Sequence, residues 1–158
     1  MNASYRVKYP TMHITRYTDY SLRVLIYLAI NNQSLSTIGN IANSYGISKN
    51  HLMKIVQQLN LKGHLIATRG KNGGLKLSCH PSQINIGTLV RELEDKRNLV
   101  ECFGEDNSCV ITPNCQLKTI FAEAQECFYK SLDAYSLQDL LGEGHSYKLG
   151  QLLAVEVI

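Results

Sequence analysis

Three cysteines, Cys102, Cys109 and Cys115, fall inside the short segment ECFGEDNSCVITPNCQL. Six residues separate the first pair and five the second. Both gaps exceed the two-residue knuckle of a zinc ribbon, and three is an odd number for a disulfide framework. Soft thiolates suit iron–sulfur clusters and zinc. A compact loop offering three of them, and no fourth, reads as an open metal or iron–sulfur site completed by a ligand from elsewhere. A site of that kind makes the chain a sensor, and the other elements must then carry the signal.

With 158 residues, 44% of them hydrophobic and 18% charged, the chain is one domain, or one small domain plus an extension, and long enough to bury a real core. The longest apolar run, Val24 to Ile30, is interrupted by Tyr27 and is far too short to span a bilayer. No membrane partner is therefore expected. The opening MNASYRVKYPT carries charge but no apolar stretch and does not read as a secretory signal. The expected location is the cytoplasm, where thiols stay reduced and clustered cysteines bind metal more often than they pair.

The net charge of +3 conceals a split. Residues 12–80 carry eight Lys and Arg against one acid, Asp19, whereas residues 81–158 carry six basic residues against twelve acidic ones. A basic half facing a polyanion, joined to an acidic half with another task, is the expected consequence.

Hydrophobic periodicity places a first helix over Tyr20 to Ile30, with Leu22, Leu25, Ile26 and Ala29 on one face and Thr18 or Asp19 as its cap. Ser36-Thr37 opens a second helix, Ile38 to Tyr45, which stops at Gly46. A third runs from Ser48 or Lys49 to about Leu61. Two β-prone runs, His64 to Arg69 and Leu75 to Cys79, flank GKNGG, whose Asn-Gly is a strong hairpin signal. Ile86 to Leu93 reads as a short helix, Gln116 to Tyr135 as a long one, and Ser136-x-x-Asp139 as a capping box. The tail from Gly142 onward fits no element clearly.

Helix, helix, turn, helix, hairpin is the order of a winged helix-turn-helix. Ile41, Tyr45, Ile47, Leu52 and Ile55 fall where two short crossed helices must touch, Ala42 permits close approach, and Gly46 suits the turn. On the third helix, Leu52, Ile55, Val56 and Leu59 point inward. Asn50, Lys54, Gln57 and Gln58 point outward, with Ser48, Lys49 and His51 near its start. Amides can pair with adenine, and Lys with guanine or phosphate, when such a helix lies in the major groove. In the wing, Arg69 and Lys71 flank a tip, Asn72-Gly73, able to approach the DNA backbone closely. The expected partner is double-stranded operator DNA.

Along the long helix the apolar positions Leu117, Phe121, Ala124, Phe128, Leu132 and Tyr135 recur at helical spacing, widened by Ile120 and Cys127. At ~20 residues, or ~30 Å, it is longer than a winged-helix domain needs for its own core. Pairing with a second copy is expected, since a homodimer suits a palindromic operator. The fold class is thus mainly α: a winged helix-turn-helix domain plus a long C-terminal dimerisation helix. The expected divisions are an N-terminal extension (1–11), the DNA-binding domain (12–80), a connecting helix with the cysteine loop (81–115), the dimerisation helix (116–141) and a tail (142–158).

The segments ITRYTDYSLRVLIYLA, YGISKNHLMKIVQQL, RGKNGGLKL, VRELE and CVITPNCQLK carry a resemblance. Together they are similar to the NsrR/IscR family of small winged-helix bacterial repressors, and most similar to its nitric-oxide-sensing branch. The resemblance covers Met12 to about Leu141, so residues 1–11 are expected to be an upstream extension or leader. It implies one Fe–S cluster per subunit, 2Fe-2S or 4Fe-4S, bound by Cys102, Cys109 and Cys115. IscR-like members complete the cluster with a His three residues after the third Cys, a position held here by Lys118. NsrR-like members carry an Asp in the first helix, a position matched by Asp19 in TDYSLR. Asp19 of one subunit is thereby implied to complete the cluster of the other, while a capping role for it stays open.

The resemblance further implies nitric oxide as the signal, nitrosylation of the cluster releasing the DNA and derepressing nitrosative-stress genes. A second reading keeps the same cysteines but has them sense Fe–S status, zinc or thiol oxidation. An enzyme is not expected: no cofactor-binding loop, nucleophile–base pair or acid pair is visible. Cys79 and Cys127 read as small hydrophobes outside the site.

Overall fold

The computed structural model describes residues 13–94, 98–142 and 144–155; the expected extension at 1–11 lies outside them. Six α-helices and one hairpin follow in the order α1 (Arg16–Ile30), α2 (Ile38–Tyr45), α3 (Lys49–Leu61), β1 (Leu65–Thr68), β2 (Gly74–Leu77), α4 (Ile86–Glu94), α5 (Gln116–Asp133) and α6 (His145–Leu153). Four 3-10 turns lie between them: Pro81–Gln83, Glu101–Phe103, Thr112–Asn114 and Gln138–Leu141. The fold is mainly α with a winged helix-turn-helix, as the periodicity and turn chemistry foretold.

The first helix begins a turn earlier than its apolar pattern suggests. Thr15 is the N-cap: its hydroxyl accepts from the Thr18 N–H at 3.1 Å. Asp19 is thus not the cap but a residue of the first turn, where a negative charge favours the helix dipole. The buried face runs through Ser21, Val24, Leu25, Leu28 and Ala29, with Leu22 and Ile26 only half-buried. Polar Thr18 and Ser21 are fully buried. An apolar pattern does not register such residues, which is why the start was misplaced.

Thr37, not Ser36, caps α2, accepting from the Asn40 N–H at 3.1 Å. Gly46 closes α2 with a left-handed φ of 63°, which a glycine takes without a Cβ penalty. Leu52, Ile55, Val56 and Leu59 of α3 are all buried as expected, against α1, α2 and β1. The hairpin is antiparallel, with Leu65 opposite Leu77 and Thr68 opposite Gly74.

α4 presents a strongly one-sided apolar face, burying Ile86, Leu89, Val90 and Leu93. It packs on α5, and Gly87 makes that approach possible: a Cβ there would lie 2.7 Å from the Asp133 backbone nitrogen and would strike its carboxylate. α5 itself buries no residue fully. Phe121, Phe128 and Leu132 are half-buried, while Leu117 and Ile120 are 54% and 56% exposed and Ala124 also faces outward. The expected apolar stripe therefore packs on its own protomer along one edge only. The expected Ser136–Asp139 capping box forms only by half: the Asp139 carboxylate accepts from the Ser136 N–H and hydroxyl at 2.7 Å each, while the Asp139 N–H donates to the Ser136 carbonyl and not to its side chain. The tail folds as α6, which rests on α1 and α2 and buries Leu153. The Ser44 hydroxyl donates to the Leu153 carbonyl at 2.7 Å, holding the end of α6 to α2. Tyr147 and Leu152 stay exposed, which blurs the apolar period and explains why the sequence left α6 unread.

Candidate DNA interface and cysteine loop

The inward face of α3 is settled by burial, so its outward face is fixed by helical geometry. Ser48, Lys49, Asn50, His51, Lys54, Gln57 and Gln58 are all exposed. Ser48 occupies the N-cap position without making a side-chain cap bond, which leaves the first N–H groups of α3 open to a phosphate. His51 is exposed but not free to swing: its ring meets Tyr20 of α1 edge-on at 5.2 Å. Met53, half-exposed among the polar side chains, is part of this surface and was not anticipated, because an apolar residue carries no hydrogen-bonding signal.

Arg69, Lys71 and Asn72 are exposed at the wing tip, and Gly73 is partly covered. Gly70 has a φ of 108°, and the Gly73 N–H donates to its carbonyl at 3.0 Å. A Cβ on Gly73 would collide with the Thr68 carbonyl oxygen, so only glycine permits this tight return. The wing is braced at its base. Ser36 and Leu75 exchange backbone hydrogen bonds of 3.1 and 2.7 Å, and the Asn60 side chain of α3 accepts from the Ala67 N–H at 3.1 Å. Recognition helix and wing thus share one rigid mount. If Arg69 and Lys71 each neutralise a phosphate, R69A and K71A will each flatten the slope of log affinity against log salt by ~0.9. Fluorescence-anisotropy titrations across a salt series check this expectation.

Within the basic half, Arg23 and Lys62 are engaged inside the protein. Arg23 binds both oxygens of Asp19, at 2.9 and 3.1 Å, and its guanidinium lies 5.4 Å from the Tyr20 ring and 5.8 Å from that of Tyr45. Burial pushes the Tyr45 hydroxyl up to about 12, with the Arg23 cation pulling the other way. Lys62 reaches Glu92 of α4 at 2.9 Å. Asp19, Tyr20, Arg23, Tyr45 and His51 form one contiguous cluster linking the first turn of α1 to the start of α3.

The cysteine loop follows α4. Cys102 is half-buried in the 3-10 turn Glu101–Phe103, Cys109 is exposed, and Cys115 is half-buried at the N-cap position of α5. None is in a disulfide. Glu101 cinches the loop by accepting from the Ser108 N–H at 2.8 Å and its hydroxyl at 2.7 Å, bonds that hold its carboxyl below the usual range. Asn107 accepts from the Cys109 N–H at 3.1 Å and donates to the Thr112 hydroxyl at 2.9 Å. Val110 and Ile111 are 90% and 62% exposed beside the thiols. Among the described residues no three His, Cys, Asp or Glu side chains converge as a metal-holding group. One protomer therefore does not gather Cys102, Cys109, Cys115 and Asp19, and Asp19 is turned to Arg23 instead. As donors, however, three free thiols and a carboxylate suit an iron–sulfur group. Cys79 and Cys127 are both exposed rather than buried small hydrophobes.

Residues 14–143 match the family Rrf2, described as an iron-dependent transcriptional regulator. The chain belongs to the Rrf2 family. This Rrf2 chain is 49% identical over 141 residues to the HTH-type transcriptional regulator NsrR of Bacillus licheniformis, covering 87% of itself and 99% of the relative. It is also 49% identical over 132 residues to the regulator of that name in Bacillus subtilis, covering 82% and 90%. Its fold is similar to that of T. potens IscR, with a TM-score of 0.69, 19% identity, and 87% and 92% of the two chains covered. It is likewise similar to CymR, the global cysteine regulator of B. subtilis, with a TM-score of 0.64, 23% identity, and 86% and 98% covered. The branch indicated by TDYSLR and Lys118 is the one whose name these curated relatives carry. The Rrf2 chain is a transcriptional regulator and not an enzyme. Among its described residues no helix is long and apolar enough to cross a membrane.

Proposed function

We propose that this regulator is a cytoplasmic, sequence-specific DNA-binding repressor that acts as a homodimer and senses nitric oxide through an Fe–S cluster, one per subunit. Cys102, Cys109 and Cys115 of one subunit would hold the cluster, 2Fe-2S or 4Fe-4S, with Asp19 of the other as its remaining ligand. When bound, the cluster supplies iron that reacts with nitric oxide. The observation carrying the reading is the pairing of a rigidly mounted recognition surface with a loop of three free thiols that a single protomer leaves incomplete. Exposed Val110, Ile111, Leu117 and Ile120 around that loop support its coverage by a second copy.

Asp19 sits where loop and DNA surface meet in function. Its carboxylate is harder than a thiolate and would make the weaker bond to iron. Recruiting it competes with the Arg23 ion pair, and Arg23 in turn leans on Tyr20 and Tyr45 beside His51. Gain or loss of that ligand therefore acts on residues touching the start of α3. Its loss would rotate the two recognition helices relative to each other and so derepress nitrosative-stress genes.

Anaerobically purified protein is expected to absorb in the visible and to lose that absorbance, and its operator affinity, on exposure to nitric oxide. D19A should respond little. Colourless protein with zinc at one per chain would overturn the cluster. Equal responses in wild type and D19A would remove Asp19 from the mechanism.

A further inference from the structure

The run Val90–Glu94 (VRELE) belongs neither to the DNA-facing surface nor to the thiolate set, yet its three charged side chains each grip a different element. Arg91 binds both oxygens of Asp133 on α5, at 2.5 and 2.7 Å, and its guanidinium covers the Tyr129 ring at 4.8 Å. Glu94 accepts from both the N–H and the hydroxyl of Thr15, at 2.8 and 2.9 Å, and so holds the cap of the helix that carries Asp19. Glu92 takes Lys62 Nζ on one oxygen at 2.9 Å and His64 Nε2 on the other at 2.7 Å. Between these grips, Val90 and Leu93 are buried, so the turn moves as part of the core and not as a loose surface.

The Glu92 contact is the informative one. Lys62 is the C-cap of α3 and His64 directly precedes β1, with only Gly63, at a φ of 79°, between them. Glu92 therefore pins both sides of the one-residue turn that joins recognition helix to wing, adding to the bonds that already brace that junction. Burial alone would raise its carboxyl, but the bonds from Lys62 and His64 outweigh that and hold it below the ordinary range. An ion pair this exposed adds little to stability. Its weight is geometric: it fixes a direction.

We propose that the last turn of α4 is the relay between the cysteine loop and the DNA-reading surface, with Glu92 as the positioning residue for α3 and the wing. The relay rests on the reading that the chain binds operator DNA, but not on the presence of a cluster. Coupling between two sites is reciprocal. The loop meets this path at Cys115, the N-cap position of α5, which packs along α4 and is held to it by the Arg91–Asp133 pair, so bound DNA acts on the loop by the same route.

The test uses full-length, reduced, cluster-free protein and a duplex selected from a random-sequence pool by the wild type. Alkylation rates of Cys102, Cys109 and Cys115 by iodoacetamide are read by peptide mass spectrometry, with and without saturating duplex. In the wild type the duplex is expected to change these rates about fivefold or more, and E92Q should erase that change while DNA is bound. K62Q, which breaks the same bridge from the α3 side, should do likewise, so the outcome does not hang on the folding of one variant. Equal changes in wild type and both variants would mean that DNA touches the loop directly, and the relay falls. An unchanged rate in DNA-bound wild type also overturns it. If the wild type selects and retards no duplex, the DNA-binding reading fails first and takes the relay with it.

Discussion

Cys102→Ser, Cys109→Ser and Cys115→Ser, tested one at a time, are each expected to abolish iron retention and to cut operator affinity by about tenfold or more, within the usual span of coupling between two sites. The fold should survive, because none of these thiols is in the core: Cys109 is exposed, Cys102 is half-buried in a 3-10 turn and Cys115 is half-buried at the N-cap position of α5. Hydroxyl for thiol is nearly isosteric, so the loss is one of ligand softness and not of packing. Cys79→Ser and Cys127→Ser serve as controls and should change neither iron nor affinity. Iron and sulfide analysis of anaerobic preparations, paired with mobility-shift titrations and thermal melts, separates these effects. A serine variant that keeps its iron and its nitric-oxide response would take that cysteine out of the ligand set.

The second large effect is one of stability. Leu52→Ala should cost 2–5 kcal/mol, the span observed for buried leucines, out of a total that is ~5–15 kcal/mol for a typical domain. Leu52 is fully buried in the first turn of α3, where that helix packs against α1 and α2. The cavity would open at the centre of the helix-turn-helix and could not collapse without drawing α3 inward. At ~2–4 °C per kcal/mol for a chain of this size, the melting temperature falls by roughly 4–20 °C. Leu61→Ala supplies the contrast. Leu61 lies on the same helix but is 71% exposed, and its loss should shift the melt little. Calorimetry of the two variants checks both, and equal shifts would mean that α3 is packed the other way round.

How much of this could be read beforehand depended on the kind of signal. Apolar periodicity located α2, α3 and α4 almost to the residue, because Thr37, Gly46 and the buried Leu52–Ile55–Val56–Leu59 face are local features. The hairpin was equally legible from Asn72-Gly73. The start of α1 was not, because Thr18 and Ser21 are polar yet buried. α6 was missed because Tyr147 and Leu152 interrupt its apolar stripe. The outward set on α3 followed from the inward one, but Met53 escaped a search for hydrogen-bonding side chains. The Glu92 bridge to Lys62 and His64 spans about thirty residues of sequence, and no local rule pairs them. The cysteines announced themselves by spacing, whereas the engagement of Asp19 by Arg23 needed coordinates: an i, i+4 pair is permitted by any helix and demanded by none.

The exchange of hydrogen bonds between Ser36 and Leu75 has a thermodynamic consequence. It joins the hairpin to the residue just before the cap of α2, so the wing enters an encounter already oriented, with much of its backbone entropy surrendered during folding. Docking a floppy hairpin would forfeit that entropy at the moment of binding and weaken the complex accordingly. Here the freedom still to be lost is confined to the tip, at Arg69, Lys71 and Asn72, whose side chains can follow a phosphate backbone without disturbing the scaffold beneath them.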